Sequence, residues 1–265
     1  MDLRALWVAM GEHLQTWFAP VRGFAGESGA GGFTALTGLP IPELNAIGIY
    51  ENAGVFEVLQ PAAERRTGSL HPALVLVSGG IAAAAERVTR RRGFVPGGIS
   101  PFMQRSAEDL PLGITRFEVF EMRPGDVDAY ARAASEPFSL PAHVVRQFGA
   151  ATLGGSGSRV YALSDRHEVV STVTVTGDEG PTGIWAMGTA TSRQRRGYGT
   201  ALLTEVMRRE RERGASAFFL YSSEAGYPLY DRLGFTIVDA IALWVRLGVV
   251  DAHARWSPQS AQRRW

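Results

Sequence analysis

The sequence predicts an α+β protein in which helices flank a mixed, mostly antiparallel sheet. In the second half of the chain, the predicted elements follow the order strand, helices, three strands, helix, strand, helix, strand. The apolar segments 160–163 and 168–176 flank the polar turn 164–167, a pattern typical of an antiparallel hairpin. Strands grouped in this way, with helices between the groups, favour an α+β layout.

The composition is that of an ordinary globular protein. The 265 residues are 45% hydrophobic and 20% charged, and the formal net charge is +1. A charge so close to zero gives no reason to expect nucleic acid or an anionic membrane as a partner. Because the chain has no cysteine, disulfides and zinc–thiolate sites are excluded, and we expect no metal site. The first residues do not resemble a secretion signal, so we expect a cytoplasmic protein.

Apolar periodicity and turn residues predict the elements of both halves. The first half has a helix over 2–18, a Gly-rich loop over 23–32, strands over 33–37 and 45–50, a helix over 55–66, a strand over 73–77, a helix over 81–92 and a strand over 94–103 broken by Pro96 and Gly97-Gly98. The second half has a strand over 114–122, a helix over 126–135, a helix from Pro141, strands over 184–190 and 217–221, a helix over 228–233 and final strands over 235–247. The polar segment 105–111 between the halves predicts a domain boundary.

A glycine-spaced loop follows the predicted strand 184–190 and opens a long helix that ends at Gly214. The first amides of a helix have no carbonyl partner within it, and the helix dipole adds positive charge there, so such a loop can bind an anion. Gly197 and Gly199 would let a phosphate approach the main chain, and Arg195 and Arg196 add charge. On its own this pattern is weak, because an ordinary strand–helix turn explains it equally well.

A second motif strengthens the interpretation. Residues 194–199, Gln-Arg-Arg-Gly-Tyr-Gly, fit the pattern Gln/Arg-x-x-Gly-x-Gly/Ala, and residues 229–235 contain Leu-Tyr followed by Leu-Gly-Phe after two variable positions. Together, in this order and separation, they resemble the two signatures of the GNAT (GCN5-related N-acetyltransferase) family. The resemblance covers about residues 112–247.

The resemblance implies an acyl-CoA co-substrate and an acyl transfer, expected to be acetyl transfer, to an amine by direct attack in a ternary complex. Strand 184–189 should separate from the strand beginning at Ala217 to admit pantetheine. Tyr230 is the implied catalytic residue, a general acid for the departing thiolate. The implied acyl-CoA-binding residues are Met187, Gly188, Thr189, Gln194, Arg195, Arg196, Gly197, Tyr198, Gly199, Thr200 and Ser223.

Two departures from the family pattern bear on the chemistry. Many members have Asn seven residues before the tyrosine, where this chain has Ser223. Many also have a Glu on the strand before the loop as a general base, and residues 184–189 contain none. The remaining candidates for a base are His167, Glu168, Asp178, Glu179, Glu224 or an ordered water, and none is assigned.

The first half resembles a second, degenerate copy of the same domain. Strand 73–77, a Gly pair, a helix and Gly93-Phe94 parallel the strand, helix and Gly234-Phe235 of the second half. No Gln/Arg-x-x-Gly-x-Gly precedes residue 73, so we expect this half to be structural and not to bind CoA. The predicted organisation is an N-terminal helix and Gly-rich loop over 1–32, a degenerate GNAT-like domain over 33–110, an acyl-CoA-binding domain over 111–248 and a tail over 249–265.

The partners remain broadly defined at this level. We expect an amine-bearing small molecule or peptide as acceptor, no nucleic acid, no membrane, and a monomer or homodimer. Two other functions stay open: an acyl-CoA-binding sensor or structural module without turnover, and a protein that binds a different nucleotide at the same loop.

Overall fold

The computed structural model describes residues 1–55, 58, 72–110 and 115–247. Most of the predicted helix 55–66 and the predicted tail 249–265 lie outside these residues. The described chain forms two compact units. Unit 1 comprises residues 1–103, 221–228 and 237–247, and unit 2 comprises residues 104–220 and 229–236.

Unit 1 contains the strand order β1-β2-β3-β4-β11-β5, two longer helices and a short helix at Asn52–Gly54 among its described residues. The pairs β1–β2, β2–β3 and β4–β11 are antiparallel, whereas β3–β4 is parallel. The elements are α1 (Leu3–Phe18), β1 (Ala25–Gly29), β2 (Gly32–Leu36), β3 (Asn45–Ile49), β4 (Ala73–Val77), α2 (Ala82–Arg91), β5 (Val95–Ser106) and β11 (Thr236–Arg246).

Helix α1 begins where the sequence predicts it. The Asp2 carboxylate accepts a hydrogen bond of 2.8 Å from the amide of Ala5, which satisfies one of the unpaired donors at the helix start. The buried face of α1 includes Trp7, Met10 and Leu14 at helical spacing.

Two expectations about unit 1 were wrong. The Gly-rich segment 23–32 is not only loop, since it contains β1, which pairs with β2 along its whole length. All five residues of β1 are exposed, so it carries no apolar alternation to reveal it, and the Gln15 side chain holds it by donating to the carbonyl of Glu27 at 3.0 Å. Strand β5 runs without a break through Gly97, where a Cβ would lie 2.9 Å from Val245 of the neighbouring strand β11.

Unit 2 contains the strand order β10-β9-β8-β7-β6. The pairs β6–β7, β7–β8 and β8–β9 are antiparallel and β9–β10 is parallel, which confirms the predicted fold class. The elements are β6 (Glu118–Glu121), α3 (Val127–Phe138), α4 (Ala142–Thr152), β7 (Ser158–Asp165), β8 (Glu168–Thr176), β9 (Gly180–Thr189), α5 (Tyr198–Glu212), β10 (Ala215–Tyr221) and α6 (Tyr227–Arg232), of which residues 221, 227 and 228 fall in unit 1.

A buried ion pair ties the long helix α5 to strand β7. Arg159 contacts Glu210 at 2.6 Å, and their side chains are 10% and 1% exposed. The hydroxyl of Tyr161 donates to the same carboxylate at 2.7 Å. Removing one partner of such a pair would leave an uncompensated buried charge, so the pair fixes how α5 lies on the sheet.

The hairpin between β7 and β8 is tighter than the predicted turn over 164–167, because Ser164 and Asp165 belong to β7 and only two residues form the turn. Its two turn residues, Arg166 and His167, have φ of 52° and 68°. This left-handed pair matches the twist of the strands, but it is the conformation for which Asn-Gly is preferred. The turn sets Asp165 opposite Glu168 in register.

We expect the double substitution Arg166→Asn/His167→Gly to raise the free energy of unfolding by about 1–2 kcal/mol, because it relieves two left-handed non-glycine residues. Urea unfolding followed by circular dichroism measures the change. The matched control is His167→Val, which keeps the turn length but places a β-branched residue at positive φ and should destabilise. Equal stability of the three proteins would contradict the assignment of strain to this turn.

Candidate functional site

The two parallel strands of unit 2 separate part of the way along their length. The register of β9 with β10 ends at the pair Gly183–Phe219. Strand β9 continues over residues 184–189 without a partner on that side among the described residues. The main chain of this half of β9 is therefore available to a ligand, in agreement with the predicted separation.

A β-bulge lies in the separated part of β9. On β8, Thr172 and Thr174 are two residues apart, but their partners on β9, Gly188 and Trp185, are three apart. Ala186 takes up the extra residue with φ of 46°, a conformation that costs about 1 kcal/mol for a residue with a side chain. Bulges of this kind turn the following main-chain groups away from the ladder, here those of Met187.

The glycine-spaced loop between β9 and α5 leaves a run of amides without protein partners. Within the described residues, the amides of 195–200 donate to no protein acceptor, and the first to do so is that of Ala201, to the carbonyl of Gly197 at 2.9 Å. Gly197 caps the helix with φ of 85°, and Arg195 has φ of 62°. Gln194 anchors the loop by donating to the carbonyl of Thr189 at 3.1 Å. This is the geometry of an anion-binding concavity.

The charges beside this loop are arranged to favour an anion. Arg195 and Arg196 are exposed, and neither forms an ion pair with the residues that the structure describes. Arg193, one turn earlier, is by contrast held by Asp165 at 3.4 Å and by Glu168 at 3.0 Å. The charges of Arg195 and Arg196 are therefore not neutralised by a described carboxylate, and both guanidinium groups are available to an anion.

Gly199 is the point where the loop, strand β9 and helix α6 meet. A Cβ at this position would lie 3.2 Å from Met187 Cε and 3.5 Å from both Thr189 Oγ1 and Leu229 Cδ2. Leu229 precedes Tyr230 in α6. The structure therefore brings together the predicted phosphate loop, the separated strand and the helix that carries the predicted acid.

Tyr230 is buried, with 7% of its surface exposed. Its ring packs edge-on against Phe235 at 5.7 Å, and its carbonyl accepts from the amides of Leu233 and Phe235 at 3.0 Å each. Its hydroxyl forms no hydrogen bond with any described residue. Burial raises the pKa of the Tyr230 phenol above its ordinary value, so the hydroxyl keeps its proton at neutral pH.

The side chains of several predicted site residues have other partners. The hydroxyl of Tyr198 donates to Asp165 at 2.6 Å, so only the main chain of Tyr198 is left for a ligand. Thr189 Oγ1 contacts Ser171 Oγ at 2.9 Å. Gly188 is buried, and a Cβ there would lie 3.0 Å from the ring of Phe138. Thr200 is exposed and Met187 is half-buried.

Ser223 belongs to the segment 221–228 of unit 1 and shapes the turn that leads into α6. Its hydroxyl accepts from the amide of Gly226 at 3.1 Å, and its carbonyl accepts from the amide of Tyr227 at 3.0 Å. This contact leaves the donor hydrogen of the hydroxyl available.

The candidates for a general base are all exposed and none is singled out by the geometry. Glu168 pairs with Arg193 at 3.0 Å, and Asp178 pairs with Arg159 at 2.7 Å. His167, Glu179 and Glu224 are exposed as well. No base is assigned from these positions.

Two residues of the site were missed at the level of sequence. Asp165 binds Tyr198 and Arg193, and Ser171 donates to the carbonyl of Gly188 at 2.8 Å. Both lie on the β7–β8 hairpin, remote in sequence from the loop they contact. Only the pairing of β8 with β9 brings them there, and no local motif indicates it.

Unit 1 contains the same strand–crossover–strand arrangement, but closed. The parallel pairing of β3 with β4 continues to the pair Ile49–Val77, and the amide of Ser78 extends it by donating to the carbonyl of Ile49 at 2.9 Å. The amides of Tyr50 and Glu51, which follow β3, both donate to the carbonyl of Gly31, at 2.8 and 3.1 Å. In the described part of unit 1, therefore, the two parallel strands stay paired, and the first two amides after β3 already have an acceptor.

Comparison with known proteins agrees with this geometry. Residues 156–237 match the family model described as an acetyltransferase (GNAT) domain. No curated protein matches the chain. Among solved structures, a GCN5-related N-acetyltransferase from Kribbella flavida shares the fold with a TM-score of 0.68 at 14% identity, over 94% of this chain and 97% of its own.

Two further structures share the fold. A GCN5-related N-acetyltransferase from Sphaerobacter thermophilus has a TM-score of 0.61 at 19% identity, over 83% of this chain and 78% of its own. A putative GNAT acetyltransferase from Novosphingobium aromaticivorans has a TM-score of 0.54 at 14% identity, over 88% of this chain and 97% of its own. At these identities the likeness is one of fold.

Unit 2 is thus an α+β domain in which a loop with open amides follows a separated parallel strand pair. Its residues 156–237 are similar to a GNAT acetyltransferase domain, and the chain shares the fold of solved GNAT structures. None of the described helices is long and apolar enough to cross a membrane. Among the described residues, no three acidic or histidine side chains converge as a metal site would require.

We expect Gly197→Ala to destabilise the protein by about 1 kcal/mol, because the φ of 85° at this position disfavours any side chain although the space around it is open. Thermal unfolding measures the effect. Gly125→Ala is the matched control, since Gly125 also precedes a helix in open space but lacks positive φ. If both variants lost the same stability, the left-handed cap would not be the cause.

Proposed function

We propose that the protein transfers an acyl group, in the first instance acetyl, from acyl-CoA to a primary amine by direct attack in a ternary complex. The observation that supports this most is the junction at Gly199. There a loop with open amides, a strand with unpaired main chain and the helix of a buried phenol meet. A diphosphate, a chain of amides and a sulfur occur in that order in one ligand, coenzyme A.

In this proposal, the amides of residues 195–200 bind the diphosphate, with Gln194 holding the loop and Arg195 and Arg196 adding charge. The main chain of Met187, Gly188 and Thr189 pairs with the amides of pantetheine, as a further strand would. The hydroxyl of Ser223 supplies a polar contact. Tyr198 and Thr200 contribute their amides.

The chemistry follows from the same placement. The amine nitrogen attacks the thioester carbonyl carbon, and the charge that develops on its oxygen is stabilised by the amide of Met187 after the bulge. The carbon–sulfur bond then breaks, and the thiolate takes the proton of the Tyr230 hydroxyl. The nitrogen loses one proton to water or to an unassigned base, and the Tyr230 phenolate regains a proton from water. The products are then an amide and the free thiol.

Burial supports the role of Tyr230 as an acid. A phenol with an ordinary pKa near 10 is protonated at pH 7, and burial raises the pKa of Tyr230 further. The active, protonated form therefore persists on the alkaline side, and ionisation of Tyr230 does not limit the rate between pH 6 and pH 9.

The role of unit 1 in this proposal is structural. We assign residues 33–110 to a degenerate GNAT-like domain and residues 111–248 to the acyl-CoA-binding domain, and we place the proposed binding site in the described part of the latter. The support is the closed pairing of β3 with β4 and the use of the amides after β3 by the carbonyl of Gly31.

The acceptor is proposed only as a class. A net charge of +1 favours a small amine or a peptide over a strongly charged macromolecule. The lack of cysteine and the proposed co-substrate fit a cytoplasmic protein acting as a monomer or homodimer.

One observation favours a second function, a sensor that holds acyl-CoA without turnover. No carboxylate lies on residues 184–189 of β9, where a base for the amine would be expected from the resemblance. Binding of CoA without consumption of any amine would support the sensor and overturn the enzyme.

We expect Tyr230→Phe to lower kcat by about 10²–10⁴ while the Kd for CoA changes less than about threefold, because only the proton donor is removed. Release of free thiol over a panel of amines measures turnover, and calorimetry measures binding. Tyr130→Phe is the control, since Tyr130 is also a buried phenol of unit 2, with burial raising its pKa to about 12. An unchanged kcat in Tyr230→Phe would remove Tyr230 from the mechanism.

We expect calorimetric titration to give one molecule of acetyl-CoA bound per chain, and much weaker binding of ATP and NAD. The reason is that the described residues of unit 2 combine open amides with separated strands, whereas β3 and β4 of unit 1 stay paired. Arg195→Ala/Arg196→Ala should weaken binding by about tenfold, as expected for the loss of charged phosphate contacts. Two equivalent sites, or tighter binding of ATP, would contradict the proposal.

A further inference from the structure

Four side chains form a cluster at the base of the phosphate loop, and we call this cluster the loop clamp. One oxygen of Asp165 accepts from the hydroxyl of Tyr198 at 2.6 Å and from the guanidinium of Arg193 at 3.4 Å. The other end of the Arg193 guanidinium donates to Glu168 at 3.0 Å. All four residues belong to unit 2.

The loop clamp holds both ends of one short segment. Arg193 is the last residue of the turn before Gln194, and Tyr198 is the first residue of α5. The residues between them carry the amides of 195–197, and the other open amides, those of 198–200, start at the second end of the segment. Apart from Gln194, no side chain between these two ends binds another described residue, so the conformation of the segment depends on its ends.

The β7–β8 hairpin explains why one carboxylate can reach both ends. Asp165 and Glu168 are partners in register across the two-residue turn, so their side chains project from the same face. The side chains of Asp165 and Arg193 are 22% and 28% exposed. Partial burial makes such contacts stronger than those of a fully exposed ion pair.

The phenol of Tyr198 is fixed on its other side. Its ring lies against Phe117 at 4.9 Å, and the residue is buried. The hydrogen bond to Asp165 raises the pKa of the Tyr198 phenol, so the donor remains protonated at neutral pH. The start of α5 is thus tied to the hairpin by a contact that persists under assay conditions.

We propose that Asp165 is a positioning residue for diphosphate binding, which fixes both ends of the phosphate loop so that its amides converge before the ligand arrives. The inference rests on the proposed function of the same loop. Arg195 and Gly197 both have positive φ. The Arg195 side chain bonds to no described residue and Gly197 has none, so side-chain contacts of these two residues do not hold the loop in this conformation. Ordering the loop in advance lowers the entropy lost on binding.

This proposal predicts different effects of an Asp165 substitution on CoA binding and on the chemical step. Asp165 touches neither the diphosphate nor Tyr230, so its loss should weaken the binding of CoA and leave the step at the sulfur unchanged. Asp165→Asn keeps the size of the side chain and removes the charge. We expect the KM and Kd for acetyl-CoA to rise by about tenfold, as for loss of a charged hydrogen bond, with kcat within about twofold.

The matched control is Asp128→Asn. It breaks a second Asp–Arg contact of unit 2, the 2.6 Å pair with Arg146, away from the loop. Its KM and Kd should equal those of the wild type. Tyr198→Phe retains the packing against Phe117 and removes one of the two bonds, so a smaller rise in KM is expected. Both substitutions break the same hydrogen bond. The double variant Asp165→Asn/Tyr198→Phe should therefore raise the Kd by less than the product of the two single effects.

A rise in KM without loss of folding supports the loop clamp. If Asp165→Asn lowers only the melting temperature and leaves the Kd for CoA unchanged, the contact is merely structural and the inference is overturned. Should Asp165→Asn fail to fold, Tyr198→Phe decides by the same comparison of KM with kcat.

The proposed function and this inference fail in different ways. If the wild type itself binds no CoA, the proposed function is wrong. Hydrogen exchange at the amide of Ala201, which donates to Gly197 at the base of the loop, then tests the loop clamp alone. Faster exchange in Asp165→Asn than in Asp128→Asn supports it, and equal exchange overturns it.

Discussion

The site depends on one constraint. A main-chain amide that loses its hydrogen-bond partner in a strand or helix must find another acceptor or remain exposed to solvent. In unit 2 the parallel pairing of β9 with β10 stops at Gly183–Phe219, and the amides of the following loop have no protein partner. In unit 1 the corresponding pairing of β3 with β4 continues to its end. The same strand arrangement thus leaves the main chain of 184–189 and the amides of 195–200 open in unit 2, and we call this region the open slot. In unit 1 the parallel strands stay paired.

Keeping the slot open is unfavourable locally. Ala186, Arg195 and Gly197 all have positive φ, and the hydroxyl of Tyr230 lacks a described partner. Strain of this kind persists only where the surroundings over-determine it. Here the surroundings are the buried Arg159–Glu210 pair, which fixes α5 on the sheet, and the β7–β8 hairpin, which binds both ends of the loop.

Local patterns in the sequence predicted most elements and the loop, because glycine spacing and apolar periodicity are properties of neighbouring residues. The boundaries of β4 were predicted to the residue, and α1 to within one. Strand β1 was missed because exposed residues without alternation give no signal. Asp165 was missed for a different reason, since its hydrogen bond to Tyr198 joins residues 33 positions apart, and no local pattern in a single sequence reveals such a contact.

The shape of the open slot limits what can occupy it. A nucleotide alone could use the amides of residues 195–200, but it would leave the main chain of 184–189 without partners. An extended peptide could pair with β9, but it would leave the amides of the loop and the charges of Arg195 and Arg196 unused. A ligand with phosphate at one end and amides along its length would satisfy both, which is why the proposal names coenzyme A. Leu229, which precedes the buried Tyr230 in α6, lies against the same junction at Gly199, so the proposed acid is carried by the helix that borders the site.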